Sequence, residues 1–154
     1  MHRWACMAGL LVVVSSLSAC GTAPTDEGGF GLGTLSSEDA VRAADAAGVV
    51  EGPLQGWLAV SSSGCFHWSG DIGDGAWIVW PDSARLDDAD GARVVLENGE
   101  VIAAGSTLSG FGAIIALEDL PQGDERDSYF GSFGGFCGAG ETGVVLLSEV
   151  TASG

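Results

Sequence analysis

The feature that most limits what this chain can fold into is its punctuation. Between Gly52 and Val150 no apolar run outlasts a short strand before glycine, proline or an Asn-Gly pair breaks it. Residues 54–60 (LQGWLAV) and 65–69 (CFHWS) read as strands. The turn 70–75 leads into 76–80 (AWIVW), which Pro81 ends, so the second and third strands form a hairpin. Residues 93–97 and 100–103 flank Asn98-Gly99, the strongest short hairpin signal in the chain. Further strands fall at 106–109 and 113–117, and a last one at 143–150 (GVVLLSEV). Strands at about 8–12-residue spacing predict a sandwich or a small barrel. At this length a five- or six-stranded barrel is the economical solution, because closure removes unpaired edges. The fold expected is therefore mostly β.

Two segments break the strand pattern. In residues 36–48, Ser36 or Ser37 can cap a helix, Glu38 and Asp39 suit its N-terminal dipole, and Gly48 stops it. Its apolar face is mostly alanine with Val41 the one larger side chain, so such a helix is marginal in isolation. Residues 129–140 (YFGSFGGFCGAG) read as a loop whose Phe130, Phe133 and Phe136 cap the open end of the barrel, or else form an exposed contact patch. Residues 82–91 and 118–128 read as acidic loops. Glycine makes up 26 of 154 residues, well above the typical ~7%, yet 46% of the chain is hydrophobic. Disorder throughout would need low hydrophobicity. A loop-rich β domain reconciles the two.

Upstream, Arg3 precedes an apolar run from Ala5 to Val14, a charged n-region and short h-region of signal-peptide type. The run is well short of the roughly 20 residues that span a bilayer. Leu17-Ser18-Ala19-Cys20 follows, and here the sequence resembles bacterial lipoproteins, whose lipobox this stretch fits. The resemblance implies diacylglycerol on the Cys20 sulfur and cleavage before Cys20, with residues 1–19 the lipoprotein signal peptide. The alternative is an ordinary secretory signal that leaves Cys20 an incidental thiol. Two acyl chains anchor stably where one binds only marginally. Residues 20–35, the lipidated cysteine and a Gly/Thr/Pro-rich stretch, read as a flexible tether. The location implied is the outer face of the bacterial cytoplasmic membrane, or the periplasm or outer membrane in a Gram-negative host.

That processing decides the cysteine and charge accounts. Cys6 leaves with the leader and Cys20 takes the lipid, so Cys65 and Cys137 remain as an even pair in an exported, oxidising setting. A disulfide between them is the default. Two free thiols, or one paired with another protein, are the alternatives. There is no CxxC or Cys/His cluster of the kind zinc requires. The processed chain holds four arginines, no lysine and 21 carboxylates, a formal charge of −17. Such a surface repels nucleic acid and anionic headgroups, which excludes nucleic acid as a partner.

Few residues carry a chemical signature. His67 is the one histidine left after processing, and no GxSxG context surrounds the nearby serines. It reads as a structural or surface residue, and no catalytic residue is assigned. Asp88, Asp90, Gly91 and Glu97 match an EF-hand loop at positions 3, 5, 6 and 12, but Leu86 stands where the first ligand belongs. Calcium is the one cofactor these loops allow, and an ordinary acidic turn is the alternative. With 21 carboxylates in the chain, no pair stands out as a glycosidase dyad. Trp57, Trp68, Trp77 and Trp80 are a heavy aromatic load for a small domain, and Trp77 and Trp80 fall on opposite faces of one strand. One or two of these indoles, with Phe133, are expected at the surface as a sugar- or peptide-binding platform.

The pieces Gly64-Cys65-Phe66, Trp77-Ile78-Val79-Trp80-Pro81, the run from Asn98 to Leu108, and Cys137 with Val144-Val145-Leu146-Leu147 resemble a set of uncharacterised bacterial lipoproteins and secreted proteins with an OB-like β domain. The resemblance implies a fold and an export route, and carries over no activity and no site residue. The expectation is one small OB-like barrel over residues 53–154, held on a tether. It acts as a non-catalytic binding module of the cell envelope, with a glycan or a protein as partner. A calcium-dependent protein or enzyme using the acidic loops is the alternative.

Overall fold

The computed structural model describes residues 31–153. The leader, Cys20 and most of the expected tether lie outside the described residues. The chain is built from β1 (Gly33–Leu35), α1 (Ser37–Ala46), β2 (Gly52–Val60), β3 (Phe66–Ser69), β4 (Trp77–Pro81), β5 (Arg85–Asp87), β6 (Asp90–Val95), β7 (Val101–Ile102) and β8 (Thr107–Ile115). A 3-10 turn at Leu117–Asp119, α2 (Tyr129–Phe136), α3 (Ala139–Thr142) and β9 (Val144–Ser153) complete it.

Five strands close a barrel. β2 pairs antiparallel with β3 and β8, β3 with β4, and β8 with β9, while β4 and β9 run parallel and shut the ring. The barrel strands in chain order thus lie 1-2-3-5-4 around the ring. This is a Greek-key barrel of OB-like type. β1 adds to β4 in parallel at Val79–Pro81. Gly33–Leu35, expected in the tether, is therefore part of the fold. β5, β6 and β7 form a separate three-stranded sheet inserted between β4 and β8. The loop expected at 82–91 contributes β5 to it. The two strands expected at 106–109 and 113–117 are one, β8, which bends at a bulge between Phe111 and Gly112. A Cβ on Gly112 would sit 2.1 Å from the Leu146 carbonyl oxygen, so only glycine lets β8 and β9 approach there.

Two cores share the barrel wall. The interior holds Leu54 and Leu58 of β2, Phe66 and Trp68 of β3, Ile78 and Trp80 of β4, Leu108 of β8, and Val145 and Leu147 of β9, with Val94, Leu96 and Ile102 from the small sheet and its turn. Phe66 meets Trp80 edge to face at 6.2 Å. The second core lies outside the wall. There Trp77 and Val79, Ala113 and Ile115, and Val144 and Leu146 pack beneath Ala40, Ala43 and Ala44 of α1, Leu117, Leu120 and Phe130. β4 is buried at every position, and so is β9 from Val144 to Leu147. Strands covered on both faces read as continuous apolar runs, which is what WIVW and VVLL are.

α1 forms where its caps predict. The Ser36 hydroxyl accepts from the Asp39 amide at 3.1 Å, and the turn ends at Gly48 with φ +71°. Its alanine face presses close to the wall, while Val41 faces outward, 41% exposed. α2 replaces the loop expected at 129–140. Ser128 caps it, accepting from the Gly131 amide at 2.9 Å. Three glycines in eight residues give it low intrinsic helix propensity. Packing supplies the difference: a Cβ on Gly134 would stand 2.5 Å from Leu117 and 3.0 Å from the Trp77 ring. Phe133 and Phe130 contact Trp77 edge to face at 5.0 and 6.4 Å.

The expected disulfide is present. It joins Cys65, just ahead of β3, to Cys137, the C-cap of α2, across 72 positions. It fastens α2 to the barrel beside Trp77. Closing so long a loop restricts the unfolded chain, for a stabilisation of about 4 kcal/mol in the chain-entropy model. The variant Cys65→Ser/Cys137→Ser should lose stability of that order in chemical denaturation. An unchanged denaturation midpoint would show that packing alone holds α2.

Candidate functional site

The helical layer covers the outer face of β4 and the adjoining part of β8 and β9. It leaves the outer face of β2 and the outer half of β8 and β9 open. Alternation builds that face. In β2, Leu54, Gly56 and Leu58 point inward, and Pro53, Gln55 and Trp57 point out. In β8, Leu108 points inward, and Thr107 and Phe111 are exposed. Glu149 and Thr151 continue the face on β9.

Register sets these side chains in rows. Trp57 lies opposite Thr107 on one side and Ser69 on the other. Gln55 lies opposite Ser109, which lies opposite Thr151. Pro53 lies opposite Phe111, which lies opposite Glu149. Trp57 is 49% exposed and Phe111 42%. They sit four positions apart along adjacent strands, a span of about 13 Å. Amide and hydroxyl groups fill the interval. A concavity of about 300 Å³ between β8 and β9 is lined by Ser109, Phe111, Glu149 and Thr151. A second groove, about 440 Å³, adjoins it across Glu149 and Thr151 and reaches Ser37, Ser83 and Glu97. Two hydrogen bonds tie the floor together: Ser148 Oγ donates to the Phe111 carbonyl at 3.0 Å, and Ser37 Oγ donates to the Ser148 carbonyl at 2.9 Å.

The aromatics expected as a platform divide sharply. Trp68, Trp77 and Trp80 are each at most 1% exposed, in one core or the other. The opposite-face placement of Trp77 and Trp80 does not bring either to the surface, because β4 is buried on both sides. Phe133 is half-buried against Trp77. Of the four indoles only Trp57 is presented to solvent. Phe111 is the aromatic that sequence reading missed. Gly110 and Gly112 hide it by interrupting the apolar pattern, although the Thr107-Leu108-Ser109 alternation leads to it.

The acidic loop does not gather a cation site. Asp88 lies 3.9 Å from Arg85, and Asp90 lies 3.5 Å from Arg93, which also holds Asp87 at 2.7 Å. Glu97 lies apart, in the groove with Glu149. Among the described residues no three His, Cys, Asp or Glu side chains are placed to share a metal ion. His67 lies on β3 between Ala59 and Trp77. Its Nδ1 donates to the Gly75 carbonyl at 3.0 Å. That bond ties down the turn before β4 and supplies no nucleophile. Ser61 and Ser63 bond to each other at 2.8 Å, and Ser61 accepts from the Cys65 amide, so they brace the β2–β3 turn.

α2 presents a second group of rings. Tyr129 and Phe136 are more than half exposed and lie on one side with Phe133. The Tyr129 hydroxyl donates to the Leu32 carbonyl at 2.8 Å. Burial pushes this phenol above its ordinary value, offset in part by a backbone hydrogen bond from Thr34. It is therefore protonated and able to donate at neutral pH.

No protein-family model, curated protein or solved structure matches this chain. Among the described residues no helix is long and apolar enough to cross a membrane.

The burial pattern has a direct optical consequence. Acrylamide should quench a minority fraction of the tryptophan emission of the folded protein lacking residues 1–19, and Trp57→Phe should abolish that fraction. Persistent strong quenching in that variant would place a second indole at the surface.

Proposed function

We propose that this is an exported lipoprotein, anchored through Cys20, whose barrel is a non-catalytic binding module for an uncharged glycan of the bacterial cell envelope. The observation that carries the reading is the open face of β2, β8 and β9, where Trp57 and Phe111 flank a field of amide and hydroxyl side chains. An indole presents a broad apolar face with a polar edge, the surface on which a sugar ring stacks. Gln55, Thr107 and Thr151 offer donors and acceptors to hydroxyl groups between the two rings. The span of the rings suits an oligosaccharide rather than a single sugar.

Charge selects between the ligand classes that OB-type barrels are known to take, oligonucleotides and oligosaccharides. A chain with 21 carboxylates and so few arginines repels polyphosphate. The argument from fold class is an analogy, and the site is argued from its own residues. The outer side of β4 is covered here by α1, α2 and the turn at Leu117, and the outer side of β2 and β8 remains open to such a ligand.

Titration with soluble fragments of cell-wall glycan should shift or quench the Trp57 emission. Trp57→Ala should weaken binding at least tenfold and Phe111→Ala several-fold, with the melting curve little changed because both side chains are half exposed. Failure of a broad set of uncharged envelope oligosaccharides to perturb the emission would refute the glycan. Separately, the unaltered protein should fractionate with membranes and take up radiolabelled fatty acid, and Cys20→Ser should do neither. A Cys20→Ser protein that stays with membranes would refute the anchor.

A further inference from the structure

We infer that the aromatic face of α2 is a membrane-contact surface, seated on the bilayer to which Cys20 holds the protein. The inference rests on the lipid-anchor reading and adds an orientation to it. Tyr129, Phe133 and Phe136 recur at i, i+4 and i+7, which places them on one side of a helix. Tyr129 is 56% exposed and Phe136 67%, beside an open concavity of about 670 Å³ that they line with Gly31, Asp127 and Ser132. No other element of the described chain exposes two aromatic side chains to this degree.

What points to a bilayer is where the chain enters. Gly31 passes directly over Phe133, where a Cβ would stand 2.3 Å from the ring. The next residue is gripped by Tyr129: the hydroxyl donates to the Leu32 carbonyl at 2.8 Å. The described chain therefore starts on the aromatic face itself. Ten residues separate Cys20 from Gly31, a reach of at most about 40 Å. A lipid on Cys20 would hold the entry of the described chain, and this face with it, within that distance of the membrane. Tyrosine suits the interface between headgroups and acyl chains, where its hydroxyl end is polar and its ring apolar, and phenylalanine suits the apolar side of that boundary. Two or three rings bind a bilayer weakly when free in solution. A short tether makes the contact intramolecular, at an effective concentration of about millimolar, and so populates it. Asp127 at the rim, with Asp124 and Glu125 before it, outnumbers the single cation Arg126, so the surface fits a zwitterionic bilayer better than an anionic one.

The contact has a geometric consequence. α2 packs on the outside of β4, and β2 and β8 are the two barrel strands farthest from β4 around the ring. Seating α2 on lipid turns the Trp57–Phe111 face away from the membrane and toward the envelope.

The test uses the lipidated full protein in phosphatidylcholine vesicles, with the Cys20→Ser protein in buffer as its reference, read by hydrogen exchange. Amide exchange over residues 127–137 should slow several-fold on vesicles, and exchange over β2 should not. Tyr129→Ser/Phe136→Ser should lose the slowing yet still pellet with vesicles, since the lipid remains. Pelleting of the unaltered protein without any slowing in α2 overturns the contact and leaves the anchor standing. Failure to pellet overturns the anchor and the contact together. Slowing in α2 that appears without vesicles and grows with protein concentration assigns the face to a second copy of the chain, and likewise overturns the inference.

Discussion

Everything else in this structure depends on burying β4 from both sides. Its five residues point alternately into the barrel and out under the helices, and none reaches water. Inside, Ile78 and Trp80 fill the barrel with Phe66 and Trp68. Outside, Trp77 and Val79 need a cover, which α1, α2 and the turn at Leu117 supply. An indole left exposed at Trp77 would forfeit about 1.5–3 kcal/mol of burial or more. The outer layer is therefore a requirement of the strand beneath it. The parallel pairing with β9, which also has both faces covered at Val144–Leu147, belongs to the same solution.

The cover has costs, and the sequence is arranged around them. α1 can lie close to the wall because its inner face is alanine. α2 can lie close because Gly134 stands where any side chain would strike Leu117 and Trp77. Such helices have little stability of their own. Ser36 and Ser128 cap them, and the Cys65–Cys137 bridge ties the end of α2 to the start of β3. The layer also determines which sheet face stays open to solvent. With the outer side of β4 occupied by the chain itself, the sheet face left open is that of β2 and β8, opposite it around the ring.

Much of the barrel was legible because strands and turns are local. Asn98-Gly99 makes its turn, with Gly99 at φ +83° and the Asn98 side chain accepting from the Glu100 amide at 2.9 Å. The alternation in LQGWLAV places Trp57 outward and Leu58 inward as period two requires. Other segments were not legible. The phenylalanines of 129–140 carried the spacing of a helix, and Ser128 carried its cap, but the glycines masked both. Two glycines likewise split β8 and concealed Phe111. For the candidate site, one of the four tryptophans, Trp57, is exposed. The candidate ligands of the acidic loop are not brought together: Asp88 and Asp90 lie beside Arg85 and Arg93 and Glu97 lies apart, a placement that no spacing rule encodes.

The sequence by itself determined the class of fold, the positions of its turns, the cap and stop of α1, and the expectation that Cys65 and Cys137 pair. These follow from local backbone preference and from counting. Only the tertiary structure decided which aromatics meet water. Period two says which side of a strand a residue faces, but not whether anything lies on that side. Trp57 and Trp77 both point outward from the barrel wall. One is open and the other is buried because residues about fifty positions further along fold back over β4 and none fold over β2. Exposure is a property of the whole packing, which no local stretch of sequence encodes.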